Sequence, residues 1–150
     1  MTASIELLKK ELEGIKLPGS PLTISALESQ VVDETARDPH NDTDLAHPIW
    51  FVIASLRGMG ISVDELCALA HKGDNDTLLF GGVEVVQEQP LVVGRTLNVS
   101  SEIVDVERKS TREGGALDSL TIRNVIADSS GDLVGTVICA YLFKRGATKE

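Results

Sequence analysis

The sequence predicts an α+β fold in which a curved antiparallel sheet wraps around a long central helix. The stretch PIWFVIASLRGMG is almost entirely apolar from Trp50 to Leu56, as expected for a helix that is buried on most sides. From residue 83 onward, apolar runs with strand-like alternation are separated by short polar turns, which is typical of antiparallel strands. A buried helix followed by such strands favours α+β packing.

Three other segments have the pattern of amphipathic helices. Residues 4–16 carry apolar side chains at helical spacing, with lysines and glutamates between them. A second helix is predicted from Ser25 to Ala36, and a third from Ser62 to Ala70. In both of these segments the serine is the expected N-cap, because its hydroxyl can accept a backbone N–H of the first turn.

The strands of the second half begin with residues 83–88. In the strand that follows Leu97, the apolar positions shift phase between Ile103 and Val104, which predicts a β-bulge and hence a bend. Residues 133–143, LVGTVICAYLF, are apolar on both faces. Such a strand belongs in the interior of a sheet that is covered on both sides.

Length and composition indicate a globular protein. With 150 residues, 42% of them apolar and 25% charged, we expect a single domain over 1–150, in which 1–20 form the N-terminal helix and a linker. The formal charge of −9 argues against a nucleic-acid partner, since phosphate binding needs a basic face.

No membrane partner is expected, because no apolar run reaches the roughly 18 residues of a membrane span. The stretch MTASIELLKKELEG carries charges where a signal peptide would be apolar. The two cysteines, Cys67 and Cys139, lie far apart in the sequence, one in a helical pattern and the other in a strand-like run. Such cysteines are usually buried thiols of a protein in a reducing compartment. We therefore expect a cytoplasmic protein.

The polar stretch DPHNDTDLAH, residues 38–47, precedes the central helix and has the composition of a loop. Its histidines, His40 and His47, are placed to act as acid or base. His71, at the end of a predicted helix, is assigned no chemistry. A metal site made of Asp38, His40 and nearby aspartates is not favoured, because no recognised ligand spacing is present. We expect no cofactor.

The stretch from Gly81 to Gly146 resembles the MaoC-like hydratase and dehydratase family, whose members carry P-L-x-x-G-(D/R)-x-L between two strands. Here that motif reads PLVVGRTL, from Pro90 to Leu97. The preceding AHPIWFVIASL is similar to the helix start of the subfamily that includes N-terminal halves of fatty-acid-synthase-type dehydratases and partner subunits of hydroxyacyl dehydratases. From the start of the first stretch to the end of the second, the resemblance spans about two thirds of the chain. The resemblance implies the hot-dog architecture.

The resemblance also implies a reaction. Family hydratases add water to a trans-2-enoyl thioester, or remove it from a 3-hydroxyacyl thioester, on acyl-CoA or acyl-carrier-protein substrates. They use an aspartate and a histidine in the pattern G-D-x-N-P-x-H, in which one group activates water and the other manages the proton at C2. An amide at the helix N-terminus polarises the thioester oxygen.

The chain departs from this pattern. Asp38 aligns with the family aspartate, but Thr43 stands where the histidine is expected. His40 lies nearby in another register, and Asp42 with His47 has the D-x4-H spacing without the asparagine and proline. The candidate catalytic residues are therefore Asp38, His40, Asp42 and His47.

Four residues around the helix start are the predicted substrate-binding set: Ile49, Trp50, Phe51 and Arg57. Pro48 has no N–H, so an oxyanion-binding amide would come from Ile49 or Trp50. The apolar strip that begins at Trp50 would contact an acyl chain or a partner, although apolar residues on a central helix more often fill the core. Arg57 is a candidate for the phosphates of CoA, as are four other basic residues: Arg95, Arg108, Lys109 and Arg112.

Two interpretations of the resemblance stay open. In the first, the chain is an active hydratase with an altered dyad. In the second, it is the degenerate half of a paired enzyme and widens the acyl tunnel beneath the central helix. The expected assembly is a homodimer, or a heterodimer with a catalytic hot-dog subunit. The alternatives are a non-catalytic assembly subunit and a hot-dog thioesterase, the latter disfavoured because the predicted central helix has no carboxylate.

Overall fold

The computed structural model describes residues 3–36 and 45–146. Its helices are α1 (Ile5–Leu12), α2 (Ala26–Thr35), α3 (Trp50–Arg57) and α4 (Val63–Leu69). Its strands are β1 (Ser20–Thr23), β2 (Thr77–Gln87), β3 (Thr96–Ser110), β4 (Ala116–Asp128) and β5 (Leu133–Lys144). The strands form one five-stranded sheet in the order β1-β3-β4-β5-β2, and every neighbouring pair is antiparallel.

Side-chain caps fix where two of the helices begin, as the sequence predicts. Ser25 Oγ accepts the N–H of Glu28 at the start of α2. At the start of α4, Ser62 Oγ accepts the N–H of Glu65, and the Glu65 carboxylate accepts the N–H of Ser62. This reciprocal pair is a capping box, which satisfies two backbone donors that the helix itself leaves unpaired.

The sheet is bent at irregularities in its pairing. The register of β3 against β4 shifts between Ile103 and Asp105, so the predicted bulge is confirmed. A second shift, between Phe80 and Gly82 on β2, was not predicted. Position 81, at this shift, requires glycine because a Cβ atom there would come within 2.7 Å of the Leu142 side chain.

The central helix α3 lies directly on one face of the sheet, which we call the helix-facing side. It spans eight residues and includes the whole apolar run from Trp50 to Leu56 that predicted it. Gly58 ends the helix close to β3, where a Cβ atom would lie 2.5 Å from Val99 Cβ. The predicted interior position of the last strand is confirmed, since β5 pairs with β4 on one side and β2 on the other.

The C-terminal end of β5 is fixed by a buried ionic network. Asp118 is fully buried, and its carboxylate oxygens lie 2.6 Å from Nε of Arg108 and 2.7 Å from Nε of Arg145. Arg145 also pairs with Asp76 at 3.0 Å and donates to the Ala70 carbonyl at 2.6 Å. The network thereby ties the end of α4 and the start of β2 to the centre of the sheet.

The edge strand β2 exposes apolar side chains on both faces. Phe80, Val83 and Val85 lie on the helix-facing side and Leu79 and Val86 on the other, and all five are between 39% and 49% exposed. We call these five residues the β2 apolar strip. The helix covers the middle of the sheet and leaves this strip open. Within the described residues, no helix has both the length and the apolar character needed to cross a bilayer.

Candidate active site

The turn from Pro90 to Gly94, which carries the PLVVG motif, bonds to the end of the predicted catalytic loop and to the segment before α2. At one end of the turn, the N–H of Ala46 donates to the Leu91 carbonyl at 2.9 Å, and Leu45 forms an isolated β-bridge with Val92. At the other end of the turn, the N–H of Gly94 donates to the carbonyl of Ile24, just before α2, at 2.8 Å.

Gly94 has a φ of +86°, a conformation that a turn of this kind reaches most easily with glycine. The motif therefore fixes the backbone that leads into α3 and the backbone that leads into α2. Three of those residues, Asp38, His40 and Asp42, lie outside the described residues.

His47 is described and lies immediately before α3. Its Nδ1 accepts the N–H of Ile49 at 3.0 Å, and its backbone carbonyl accepts the N–H of Trp50 at 3.0 Å. Both amides that sequence reasoning offered to a thioester oxygen are therefore engaged within the first turn. Ile49 is the N-cap residue of α3, and no side chain caps the helix.

The four predicted substrate-binding residues have different environments. Ile49 is 42% exposed, whereas Trp50 and Phe51 are each 1% exposed. The Phe51 ring lies against β5 at Gly135, where a Cβ atom would come within 2.6 Å of Phe51 Cε1. Within the described residues, the indole N–H of Trp50 has no hydrogen-bond partner.

Arg57 is the fourth member of this set, and its charge is paired. Its guanidinium lies 2.8 Å from a carboxylate oxygen of Glu28 and stacks over the Trp50 ring, 5.5 Å from the centroid. The hydrogen bond from Arg57 lowers the pKa of Glu28, which stays ionised. This cluster links α2 to α3 across the flank of the predicted catalytic loop.

A chain of buried polar side chains lies beneath α3. Ser101 Oγ donates to Asn124 Oδ1 at 2.6 Å, and Asn124 Nδ2 donates to the Val137 carbonyl at 3.1 Å. The Cys139 thiol donates to Ser55 Oγ at 3.4 Å, and Ser55 Oγ donates to the Val52 carbonyl. Burial raises the pKa of the Cys139 thiol, which is therefore a neutral core group.

The sequence signal for this buried chain is a polar residue at a position that is otherwise apolar. Ser101 and Asn124 lie in the apolar phase of β3 and β4, and Asn124 shares a buried face with Leu120 and Ile122. Cys67 is only half-buried, so the expectation of a buried thiol is wrong for that residue.

Arg108, another basic residue predicted to meet the phosphates of CoA, is already paired within the fold. It makes two hydrogen bonds to Asp118, at 2.6 and 2.9 Å, and one to the Ala3 carbonyl at 2.8 Å. Arg95 lies at the end of the PLVVG turn, where its N–H donates to the Val92 carbonyl. Arg95 lines a shallow surface pocket with Thr96 and Asp128.

Comparison with known protein families identifies the family to which this chain belongs. Residues 26–137 match the family described as FAS1-like, dehydratase domain region. The chain belongs to this dehydratase family. The matched region includes α2, α3, the PLVVG turn and most of the sheet, so the resemblance to MaoC-like dehydratases is confirmed. The comparison with curated proteins gives no match.

Solved structures similar to this FAS1-like dehydratase chain have the hot-dog fold, so the predicted fold class is confirmed. The ChsH1–ChsH2 complex from Mycobacterium tuberculosis matches with a TM-score of 0.68 and 14% identity, covering 97% of this chain and 91% of that one. The HadBC complex, a 3R-hydroxyacyl-ACP dehydratase of the same organism, gives 0.60 and 18%, covering 89% and 98%. A MaoC-like dehydratase from Rhodospirillum rubrum gives 0.62 and 13%, covering 94% and 98%.

Proposed function

We propose that this chain is a subunit of an enoyl-thioester hydratase or 3-hydroxyacyl-thioester dehydratase that acts on acyl-CoA or acyl-carrier-protein substrates. The observation that carries the proposal is the PLVVG turn, which bonds to Leu45 and Ala46 ahead of α3 and to Ile24 ahead of α2. This turn fixes the backbone that leads into α3, the helix start at which the MaoC-like family polarises its thioester. Thioesterase activity is disfavoured, because α3 carries no carboxylate.

The dyad is supplied in one of two ways. An altered dyad from Asp38, His40 and Asp42 makes the chain active by itself. Alternatively, a second hot-dog chain supplies the aspartate and histidine, and this chain shapes the site. The ChsH1–ChsH2 and HadBC relatives, both solved as complexes of two subunits, support the second arrangement by analogy.

In this proposal the acyl chain of the substrate does not pass between α3 and the sheet, because three contacts close the space there. Phe51 lies against Gly135, Ser55 bonds to Cys139, and Gly58 packs on Val99. These three contacts follow one side of the helix from its start to its end. We place the acyl chain instead beside the exposed Ile49, along the open helix-facing part of the β2 apolar strip.

The β2 apolar strip also supports a dimer. A ligand or a single helix would cover only one face of β2. A strand from another sheet would pair with the open edge of β2, and its side chains would pack beside the apolar residues on both faces. Glu84 is the only ionisable residue in β2. If Val83 pairs with its own copy, each Glu84 lies opposite Gly82 of the other chain, so a homodimer avoids like-charge contact. A heterodimer with another hot-dog chain uses the same edge.

We place the protein in the cytoplasm. Both cysteines are free in the structure, and burial raises the pKa of Cys67 as well as that of Cys139. Unpaired thiols of low reactivity are typical of proteins in reducing compartments.

The test is hydration of a panel of trans-2-enoyl-CoA substrates by the purified chain, with a parallel assay for released CoA thiol. We expect water addition without thiol release. If His40→Ala or Asp42→Asn abolishes hydration in a folded protein, the dyad belongs to this chain. Inactivity alone, relieved by adding a catalytic hot-dog subunit, assigns the dyad to the partner. Thiol release from the thioester would establish the thioesterase alternative, and inactivity under both conditions would leave an assembly subunit.

A further inference from the structure

The hydrogen bond between Ile49 and His47 fixes which ring nitrogen of His47 carries a proton. Nδ1 accepts the Ile49 N–H at 3.0 Å, so Nδ1 is unprotonated. A neutral imidazole with an unprotonated Nδ1 has its proton on Nε2. His47 thus presents an N–H at Nε2, and its basic lone pair already accepts the N–H of Ile49, just ahead of α3.

The peptide groups at the start of α3 offer no N–H to a substrate. Pro48 has none, and the Ile49 N–H is held by the His47 ring. The N–H of Trp50 donates to the His47 carbonyl and that of Phe51 to the Pro48 carbonyl, both at 3.0 Å. A carbonyl oxygen that gains negative charge at this helix start therefore needs a side-chain donor.

We propose that the Nε2–H of His47 is the donor that binds the thioester carbonyl oxygen. The inference rests on the proposed function and assigns His47 a role different from acid or base. A neutral histidine tethered to a helix N-terminus can polarise a carbonyl without giving up its proton. The Ile49 N–H that binds Nδ1 orients the ring and holds it at the positive end of the helix dipole.

The reaction balances with His47 unchanged. The oxygen of water bonds to C3 while one of its protons passes to the general base of the dyad. The electrons of the C2–C3 double bond move towards the thioester oxygen, where the Nε2–H of His47 stabilises the charge. The base then gives the proton to C2, and the carbonyl reforms.

The tautomer is tested directly by a long-range ¹H–¹⁵N correlation spectrum of the full chain. The protein has three histidines, so spectra of His47→Gln and His71→Gln assign the signals. We expect the neutral His47 ring to show an unprotonated Nδ1 and a protonated Nε2. A ring protonated at Nδ1 would overturn the proposal, and this measurement needs neither substrate nor activity.

The donor role is tested by the infrared carbonyl stretch of bound butyryl-CoA, a saturated thioester that cannot be hydrated. We expect a shift to lower frequency in the native protein that His47→Ala abolishes and the control His71→Ala preserves. Binding without a shift would overturn the donor role and leave the hydratase proposal standing. Failure of the thioester to bind would overturn both.

Turnover, with the partner subunit if one is required, separates a donor from a base. We expect His47→Ala to lower kcat roughly 100- to 1000-fold with little change in KM. We expect His47→Gln to recover part of that loss, because a glutamine amide donates a hydrogen bond but cannot act as a base. Equal inactivity of the two variants, both with native circular dichroism, would overturn the proposal.

Discussion

Phe51 and Gly135 are matched across the interface between α3 and the sheet. A Cβ atom on Gly135 would lie 2.6 Å from Cε1 of Phe51 and 2.9 Å from the carbonyl oxygen of Val86. The start of the central helix can therefore lie against β5 only because residue 135 has no side chain. The contact fixes the start of the helix, which begins three residues after His47.

We expect Gly135→Ala to destabilise the protein by about 1–3 kcal/mol, the usual effect of overpacking a filled core. The measurement is the free energy of unfolding in urea. The matched control is Gly82→Ala on the neighbouring strand, where a Cβ atom would meet no atom within 4 Å. An equal effect at the two glycines would show that loss of glycine, and not the contact with Phe51, determines stability.

The buried polar chain beneath α3 gives a second prediction. Ser101→Ala removes the only donor that Asn124 Oδ1 has among the described residues, and leaves a buried carbonyl oxygen unpaired. We expect a loss of about 1–3 kcal/mol in the free energy of unfolding. Ser100→Ala, at the exposed neighbouring position, is the control and should change stability little. If both variants are as stable as the native chain, water replaces the lost bond.

Several elements of the fold could be predicted because their signals are local. Ser25 and Ser62 cap helices through contacts three residues away, and the phase shift at Ile103 is visible in the strand itself. The strand β1 was missed because SPLT contains one apolar residue and is held by pairing with a distant strand. The first half of β2 was missed because its Gly81-Gly82 pair indicates a turn in the sequence, whereas the structure uses it at a bulge.

The candidate site was less predictable, because its properties depend on contacts between distant residues. The sequence identifies His47 and Pro48, but the proton position on His47 follows from a backbone bond. Arg57 looks free in the sequence and is paired with Glu28 in the fold. Phe51 looks like an acyl contact and packs on Gly135 instead.

The β2 apolar strip predicts the assembly state. We expect the native chain to form a dimer by sedimentation velocity, and Val83→Lys to shift it to monomer, because the lysine would place a charge in the apolar interface. Leu7→Lys, at an exposed apolar position on α1, is the control and should remain dimeric. A native chain that is monomeric alone and pairs only with another hot-dog chain would favour the heterodimer.

Asp118 predicts how stability depends on pH. Burial would raise its pKa, but hydrogen bonds from Arg108 and Arg145 outweigh burial and hold the pKa below its usual value. The pKa of Asp76 is also lowered, because bonds from Gly73, Gly146 and Arg145 outweigh its burial.

A carboxyl group whose pKa is lower in the folded state than its unfolded value of about 3.9 contributes stability above that value. This contribution disappears as the pH falls through the folded-state pKa. We therefore expect the free energy of unfolding to decrease steadily below about pH 5. Asp118→Asn should lower stability at pH 7 by about 3–5 kcal/mol, since it leaves Arg145 buried with one partner fewer, and should flatten the acid dependence. Asp76→Asn, which keeps the Asp118 pairs, should give an intermediate loss. If the acid dependence of Asp118→Asn matched that of the native chain, other carboxylates would have to account for acid unfolding.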